Sequence, residues 1–137
     1  MRVVLDANVL ISALIAPEGA SDRLYHAWRG GRFQLITSED QLEEFRRVTR
    51  SPRLRPYLHP AAAGAMLNEI KSLAQTVKKG PPLTISKDPA DNFLLEMAQS
   101  GSADYLVTGD KHDLLHLRRH QSTHIVTVRR LLDILEK

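Results

Sequence analysis

The sequence predicts an α/β fold with a central, mostly parallel β-sheet covered by helices on both faces. Short β-branched and apolar runs alternate with helical patterns along the chain, and this order produces right-handed crossovers between parallel strands. The chain has 137 residues, of which 42% are hydrophobic and 26% charged, as is typical of one globular domain. We therefore expect residues 1–137 to form a single domain.

The predicted elements begin and end at recognisable residues. Residues 2–5, RVVL, have a β-branched centre and predict a buried strand. Ser21, Ser38 and Pro60 each occupy the position of a helix start, and Gln41 follows Ser38 at the capping-box spacing. After the first strand we predict, in order, a helix at 9–15, a helix at 21–28, a strand at 33–37, a helix at 38–50, a helix at 60–78, a strand at 83–85, a helix at 88–101, a strand at 105–108, a strand at 124–127 and a helix at 128–136.

The composition excludes several classes of protein. The chain has no cysteine, which excludes a disulfide scaffold, a thiolate zinc site and a cysteine nucleophile. No apolar run approaches the roughly 20 residues of a membrane span. The N-terminal sequence MRVVLDANVL enters a strand directly, without a signal-peptide pattern. We therefore expect a cytoplasmic protein with no membrane-spanning segment.

Basic residues are unevenly distributed along the chain. The net charge of +3 is weak support for a nucleic-acid partner, but residues 46–59 contain five arginines and no acid. Arg46, Arg47 and Arg50 lie on a predicted helix, where they would contact phosphates of RNA or form a solvated face beside a loop. With one Trp, three Tyr and three Phe, a base-stacking platform is poorly supported.

Two acids come just after predicted strands. Asp6 comes after RVVL, and Asp110 comes after YLVTG. Ligands of open parallel sheets bind beyond the carboxyl ends of the strands, so both acids are candidate site residues. The alternative is that each carboxylate only caps the turn after its strand, since Asp is a common turn residue.

Two further acids lie on predicted helices. Asp91 is in the first turn of the helix that opens at Asp88, where an acid also suits the helix dipole and the capping box. Glu43 and Glu44 are adjacent on an earlier helix. At about 100° per residue, Glu44 lies at the border of the apolar face and Glu43 points away from it. We therefore select Glu44 as the candidate site residue.

Four carboxylates that converge in one cleft would repel each other unless a cation joined them. Oxygen ligands suit hard divalent cations, so this set favours Mg²⁺ or Mn²⁺ over Zn²⁺. A metal held in this way lowers the pKa of a bound water and stabilises charge on a leaving oxygen, which is the chemistry of phosphodiester hydrolysis.

Four histidines recur every fourth residue, which is a zinc-site spacing when all of them share one helix. They are His112, His116, His120 and His124. HDLLH departs from the zinc-protease motif, and His124 begins a predicted strand, so one helix does not hold all four. We therefore interpret them as surface or loop residues near the path of the RNA rather than as zinc ligands.

Four segments together resemble the PIN-domain family, and most closely its branch of toxin components of bacterial and archaeal toxin–antitoxin pairs. The segments are LDANVLISALI at 5–15, SEDQLEEFRRVTRSPRL at 38–54, DPADNFLLEMA at 88–98 and DYLVTGDKHDLL at 104–115. The resemblance implies a three-layer α/β/α sandwich and a Mg²⁺- or Mn²⁺-dependent endoribonuclease that acts on single-stranded RNA. It also implies a cognate antitoxin protein as partner and a homodimer.

The resemblance assigns roles to individual residues. The family's acids fall on Asp6, Glu44, Asp91 and Asp110, which would hold the metal, and Glu44 would bind it or orient the attacking water. Asn8 and Thr108 would fix the carboxylates.

Two other classes remain as alternatives. One is a non-catalytic PIN-like module that binds RNA or a protein, although the complete set of acids argues against it. The other is a phosphate-handling enzyme of another doubly wound family. Haloacid dehalogenase-like phosphatases need a second acid where this chain has Asn8, and receiver domains need adjacent acids after the first strand.

Overall fold

The computed structural model of the chain describes residues 1–109 and 112–137. The strands in these ranges are β1 (Arg2–Leu5), β2 (Gln34–Thr37), β3 (Gln75–Thr76), β4 (Tyr105–Val107), β5 (Arg119–His120) and β6 (Thr123–Val126). The helices are α1 (Ala7–Ile15), α2 (Ala20–Arg29), α3 (Glu39–Thr49), α4 (Pro60–Leu73), α5 (Pro89–Ser100), α6 (His112–Leu117) and α7 (Val128–Glu136), with a 3-10 helix at Pro52–Leu54. None of these helices is long and apolar enough to cross a membrane.

The strands form one sheet in the order β3-β2-β1-β4-β6-β5. Every neighbouring pair is parallel except β5 and β6, which form an antiparallel pair at one edge. The predicted α/β fold with a mostly parallel sheet is confirmed.

The sheet separates two apolar cores because successive side chains of a strand point to opposite faces. Val3 and Leu5 of β1 pack in a core with helices α1 to α4 and α7. Val4, between them, packs in the other core with α5 and α6. All three side chains are at most 1% exposed. Helices therefore cover both faces, which is the predicted three-layer sandwich.

The carboxyl ends of β1 and β4 form the switch point of the sheet. The chain leaves β1 through α1 on one face and leaves β4 toward α6 on the other face. Neighbouring strands that diverge to opposite faces leave a crevice at their carboxyl ends, which is where open α/β sheets bind ligands. Asp6 and Thr108 are the residues that directly follow these two strands.

The predicted strand at 83–85 is wrong, and so is the predicted end of the preceding helix. Helix α4 stops at Leu73 rather than near Lys78, and Gln75–Thr76 becomes the edge strand β3. The Val77 amide continues this pairing by donating to the Thr37 carbonyl at 2.8 Å, so this segment is the outer neighbour of β2 in the sheet. Tertiary pairing at the sheet edge therefore overrides helix propensity in this segment.

One predicted helix start and one predicted capping box also differ from the structure. The cap of α2 is Gly19 rather than Ser21, and it makes no side-chain capping hydrogen bond. Ser38 caps α3 as predicted, by accepting from the Gln41 amide. The Gln41 side chain, however, does not return to complete a capping box, because it is used elsewhere in the fold.

The four histidines are divided among three elements rather than one helix, as expected from the strand-like run at His124. His116 lies on α6 and is exposed, His120 lies on β5, and His124 lies on β6. The interpretation of His120 as a surface residue is wrong, because its side chain is 8% exposed and its ring is hydrogen-bonded to Gln99.

Candidate active site

Asp6 lies at the switch point and is almost completely buried. Its amide donates to the Val107 carbonyl at 2.9 Å, which extends the ladder between β1 and β4 by one residue. Its carboxylate caps α1, with Oδ1 accepting from the backbone amide of Asn8 at 3.1 Å. The second oxygen, Oδ2, accepts from the hydroxyl of Thr108 at 3.1 Å. Helix capping therefore explains the bond to Oδ1. Oδ2 is oriented by Thr108, the residue that follows β4 on the other side of the switch point.

Asn8 and Thr108 differ in how they reach this carboxylate. Thr108 is fully buried and uses its side chain. Asn8 is exposed and contacts Asp6 through its backbone amide, a bond that other residues at this position could also make.

Asp91 is in the first turn of α5, and its side chain is 2% exposed. It does not cap the helix. The cap is the exposed Asp88, whose carboxylate accepts from the Ala90 amide at 2.9 Å. The Asp88 amide donates to Ser86 Oγ at 3.1 Å. Asp91 is therefore buried although another acid, Asp88, provides the cap of α5.

Ser86 and Asn92 hold Asp91 in place. The Ser86 hydroxyl donates to Asp91 Oδ2 at 3.0 Å. The Asn92 side chain binds the backbone of Ser86 twice, accepting from its amide and donating to its carbonyl, both at 2.8 Å. The segment before α5 is thus fixed against the first turn of the helix.

The start of α5 lies at the same sheet edge as Asp6. At the other end of the helix, the Gly101 carbonyl accepts from the guanidinium of Arg2, the first residue of β1, at 2.7 Å. The C-terminus of α5 is therefore at the amino edge of the sheet, and its N-terminus, with Asp91, is at the carboxyl edge. The positive end of the α5 dipole favours a carboxylate at this position.

Helix α3 is attached to the same edge through Gln41. The Gln41 side chain donates to the Leu5 carbonyl at 2.7 Å and accepts from the Thr37 hydroxyl at 2.8 Å. It thus ties the first turn of α3 to the last residues of β1 and β2, one residue before Asp6.

The two adjacent glutamates of α3 differ in burial as the helical-face argument predicts. Glu44 is half-buried and Glu43 is exposed. Both line a shallow depression of about 330 Å³ together with Asp40, Arg47 and, from α5, Phe93. Because Phe93 is two residues beyond Asp91, this depression connects the Glu44 flank of α3 with the start of α5.

A larger groove of about 780 Å³ adjoins the depression and shares Asp40 and Phe93 with it. Phe93 and Glu96 of α5 line part of the groove, and Lys78 and Lys79 of the segment after β3 line another part. The groove therefore carries charges of both signs.

The three arginines predicted to contact RNA lie on two flanks of α3. Arg47 is exposed in the depression beside Glu44. Arg46 and Arg50 line a separate pocket between α3 and α4, together with Arg55.

The donor chemistry of the site fits a hard divalent cation. Asp6 and Asp91 offer carboxylate oxygens, each accepting a hydrogen bond from a hydroxyl group, and hard oxygen ligands of this kind suit Mg²⁺ or Mn²⁺. Asp110, predicted as the fourth acid, lies outside the described residues. Within residues 1–109 and 112–137, no three His, Asp or Glu side chains are grouped closely enough to hold a metal ion.

Three residues of the site were missed by the sequence analysis: Gln41, Ser86 and Asn92. Gln41 had a signal, its place three residues after a helix cap, but this signal suggested a bond to the cap. Ser86 and Asn92 had none, because their bonds depend on the fold of the segment before α5.

The geometry defines a three-layer α/β protein with buried carboxylates at the carboxyl edge of its sheet. Residues 2–112 match the PIN domain. The chain is also similar to an uncharacterized protein of Methanocaldococcus jannaschii, with 31% identity over 119 residues that cover 86% of this chain and 76% of that protein. The chain therefore belongs to the PIN-domain family, whose members are generally nucleases.

Proposed function

We propose that this protein is an endoribonuclease that uses Mg²⁺ or Mn²⁺ to hydrolyse phosphodiester bonds of single-stranded RNA. The observation that carries the proposal is the burial of Asp6 and Asp91, at 4% and 2% exposure, at the carboxyl edge of the sheet. Removing two carboxylates from water is costly unless charge or hydrogen bonds compensate. Helix capping is a role of Asp6, which caps α1, but α5 is capped by Asp88 rather than by Asp91.

In this proposal, Asp6, Asp91 and Asp110 hold the metal, with Glu44 binding it or orienting the attacking water. When bound, the metal supplies an activated water at neutral pH and stabilises negative charge on the leaving oxygen. Thr108 and Ser86 keep their carboxylates in a fixed orientation through the hydroxyl bonds described above. The Asn8 amide does the same for the other oxygen of Asp6.

The shape of the surface supports an extended, single-stranded substrate. The depression that contains Glu44 adjoins the groove along α5, so an RNA strand could lie in both. Arg47 in the depression, and Lys78 and Lys79 along the groove, supply cations for backbone phosphates. Arg46 and Arg50 on the other flank of α3 are proposed to contact the same RNA.

We further propose that the protein is the toxin of a toxin–antitoxin pair and acts in the cytoplasm, with a cognate antitoxin protein as partner and a homodimer as its assembly. The support is the likeness of its four sequence segments to that branch of the family. A small reading frame beside the gene, encoding a protein that binds this chain and blocks its cleavage of RNA, would support this role.

The activity is tested by incubating the protein with a labelled single-stranded RNA in Mg²⁺ or Mn²⁺ and in EDTA. We expect cleavage with either metal and none in EDTA. The control is Asp6→Asn, which keeps the α1 cap because Asn caps as well as Asp, but lacks the charge. RNA binding without metal-dependent cleavage would contradict the proposal and favour a non-catalytic module.

A further inference from the structure

A pocket of about 340 Å³ lies between α3 and α4, on the flank of α3 away from Glu44. Three arginines line it: Arg46 and Arg50 of α3, and Arg55 from just beyond the 3-10 helix. We call this the arginine pocket. Its apolar side comes from α4, including Ala63 and Gly64, and none of its lining residues is acidic.

The arginine pocket lacks the carboxylates that would neutralise it. The ion pairs among the described residues join His26 with Asp22 and Arg29 with Glu69, and none involves the pocket arginines. Three guanidinium groups around one pocket repel each other unless an anion lies between them. Guanidinium groups bind phosphate through paired hydrogen bonds, so phosphate is the anion that this pocket suits best.

A purely structural explanation covers only part of the pocket. Cations near the C-terminus of a helix interact favourably with its dipole, which accounts for Arg46 and Arg50 at the end of α3. It does not account for Arg55, which lies beyond that helix and lines the same pocket. Pro60, the first residue of α4, also lines it, so the positive end of the α4 dipole is close by.

The position of the pocket relative to the carboxylates indicates where its phosphate comes from. At about 100° per residue, Arg47 lies about 60° from Glu44 around α3, whereas Arg46 lies about 160° away. Glu44 and Arg50 are separated by about 9 Å along the helix axis. An RNA strand that crosses the exposed face of α3 therefore runs from the flank with Glu44 to the arginine pocket.

We propose that the arginine pocket binds one backbone phosphate of the RNA strand at a point separate from the carboxylate cleft, and that it does so without metal. This inference rests on the proposed function, since it names a second contact for the same substrate. It predicts a contact that persists when cleavage is prevented by EDTA.

The test measures binding of a fluorescently labelled single-stranded RNA in EDTA over a series of salt concentrations. Arg55→Ala is compared with Arg53→Ala, an equal loss of charge two residues away, at an exposed position that does not line the pocket. We expect Arg55→Ala to weaken binding about two- to tenfold. The logarithmic salt slope should fall by about 0.7, as for one lost phosphate contact on a single strand. Equal affinities and slopes for the two variants would overturn the proposal.

A second pair of variants avoids any effect of arginine removal on folding. Gly64 is on the exposed side of α4 and lines the pocket, and a Cβ added there meets no atom within 4 Å. Gly64→Glu places a carboxylate at the pocket, and Gly64→Gln adds the same shape without charge. RNA binding should fall several-fold more in the first than in the second, and equal affinities would overturn the proposal.

Inorganic phosphate distinguishes RNA from a small phosphorylated ligand. If phosphate shifts the melting temperature of the parent but not of Arg55→Ala, while both bind RNA equally, the pocket serves a free phosphate and the proposed RNA contact is wrong. Because all binding is measured in EDTA, loss of nuclease activity would leave this inference standing. If the parent cleaves RNA but the pocket variants bind RNA as well as the parent does, this inference would be overturned and the proposed nuclease function would stand.

Discussion

Glu43 and Glu44 are adjacent and chemically identical, and only their position around α3 separates them. Glu44 is half-buried at the border of the apolar face, whereas Glu43 is exposed. The sequence predicted this difference because helical periodicity and three apolar residues, Leu42, Phe45 and Val48, define the face. The burial of Asp91 was beyond such an argument, because an acid in the first turn of a helix has an ordinary use as a cap.

The two glutamates therefore provide a matched pair for a test of activity. We expect Glu44→Gln to lower metal-dependent RNA cleavage by about 10- to 100-fold or more, as is found when metal-site carboxylates or their partners are changed. Glu43→Gln should retain the activity of the parent, because Glu43, although it lines the same depression, is exposed and does not lie at the border of the apolar face. The measurement is the initial rate of cleavage of one RNA at saturating Mn²⁺. Equal rates for the two variants would remove Glu44 from the site.

At the scale of elements, the predictions succeeded where a local signal and the tertiary fold agree. Strand β1, the Ser38 cap of α3 and the Asp88–Pro89 start of α5 lie where the sequence placed them. The predictions failed between 74 and 85, where the apolar run LTI suggested a strand. In the structure Leu83 packs against a core but Thr84 and Ile85 are exposed, and the open edge of β2 is paired by Gln75–Thr76 instead. Sequence periodicity alone does not show which residues reach that edge.

Substitutions at two glycines test the packing around helices α4 and α5. Gly64 lies in the middle of α4 with open space around an added Cβ. Gly64→Ala should raise the free energy of unfolding by about 0.5–1 kcal/mol, because alanine loses less backbone entropy than glycine in a helix. At Gly101, which ends α5, an added Cβ would lie 2.7 Å from Ile36 Cγ2 and 3.2 Å from the Met97 carbonyl oxygen.

Gly101→Ala should therefore lower the free energy of unfolding, by about 1–3 kcal/mol, as overpacking does in well-packed regions. Urea denaturation of both variants and the parent measures the two changes. A loss of stability in Gly64→Ala, or none in Gly101→Ala, would show that the packing around these helix positions differs from that described.

At the scale of the whole molecule, the fold brings together residues that are far apart in the sequence. Asp6 and Thr108 are 102 residues apart and are joined because β1 and β4 are neighbours in the sheet. The order of strands could not be predicted from local patterns, but the rule that parallel sheets bind ligands at their carboxyl ends was enough to select Asp6. Asp110 remains a prediction from the sequence, because it lies outside the described residues.

The central claim is that the buried carboxylates at this edge share a divalent metal. Two acids of the same helix start provide the test: Asp91, which is buried, and Asp88, which is exposed and caps α5. Each is changed to Asn, which removes one charge. Asn at 88 still caps the helix, and Asn at 91 can still accept from the Ser86 hydroxyl.

The most direct measurement is thermal unfolding of the parent and these two variants, first in EDTA and then in Mn²⁺. A metal that binds only the folded state should stabilise the parent by about 2.7 kcal/mol at a hundredfold excess over its Kd. Asp88→Asn should keep this gain. Asp91→Asn should lose most of it and should be at least as stable as the parent in EDTA, because one of several like charges is gone. Equal stabilisation of all three proteins by Mn²⁺, with Asp91→Asn the least stable in EDTA, would contradict the account.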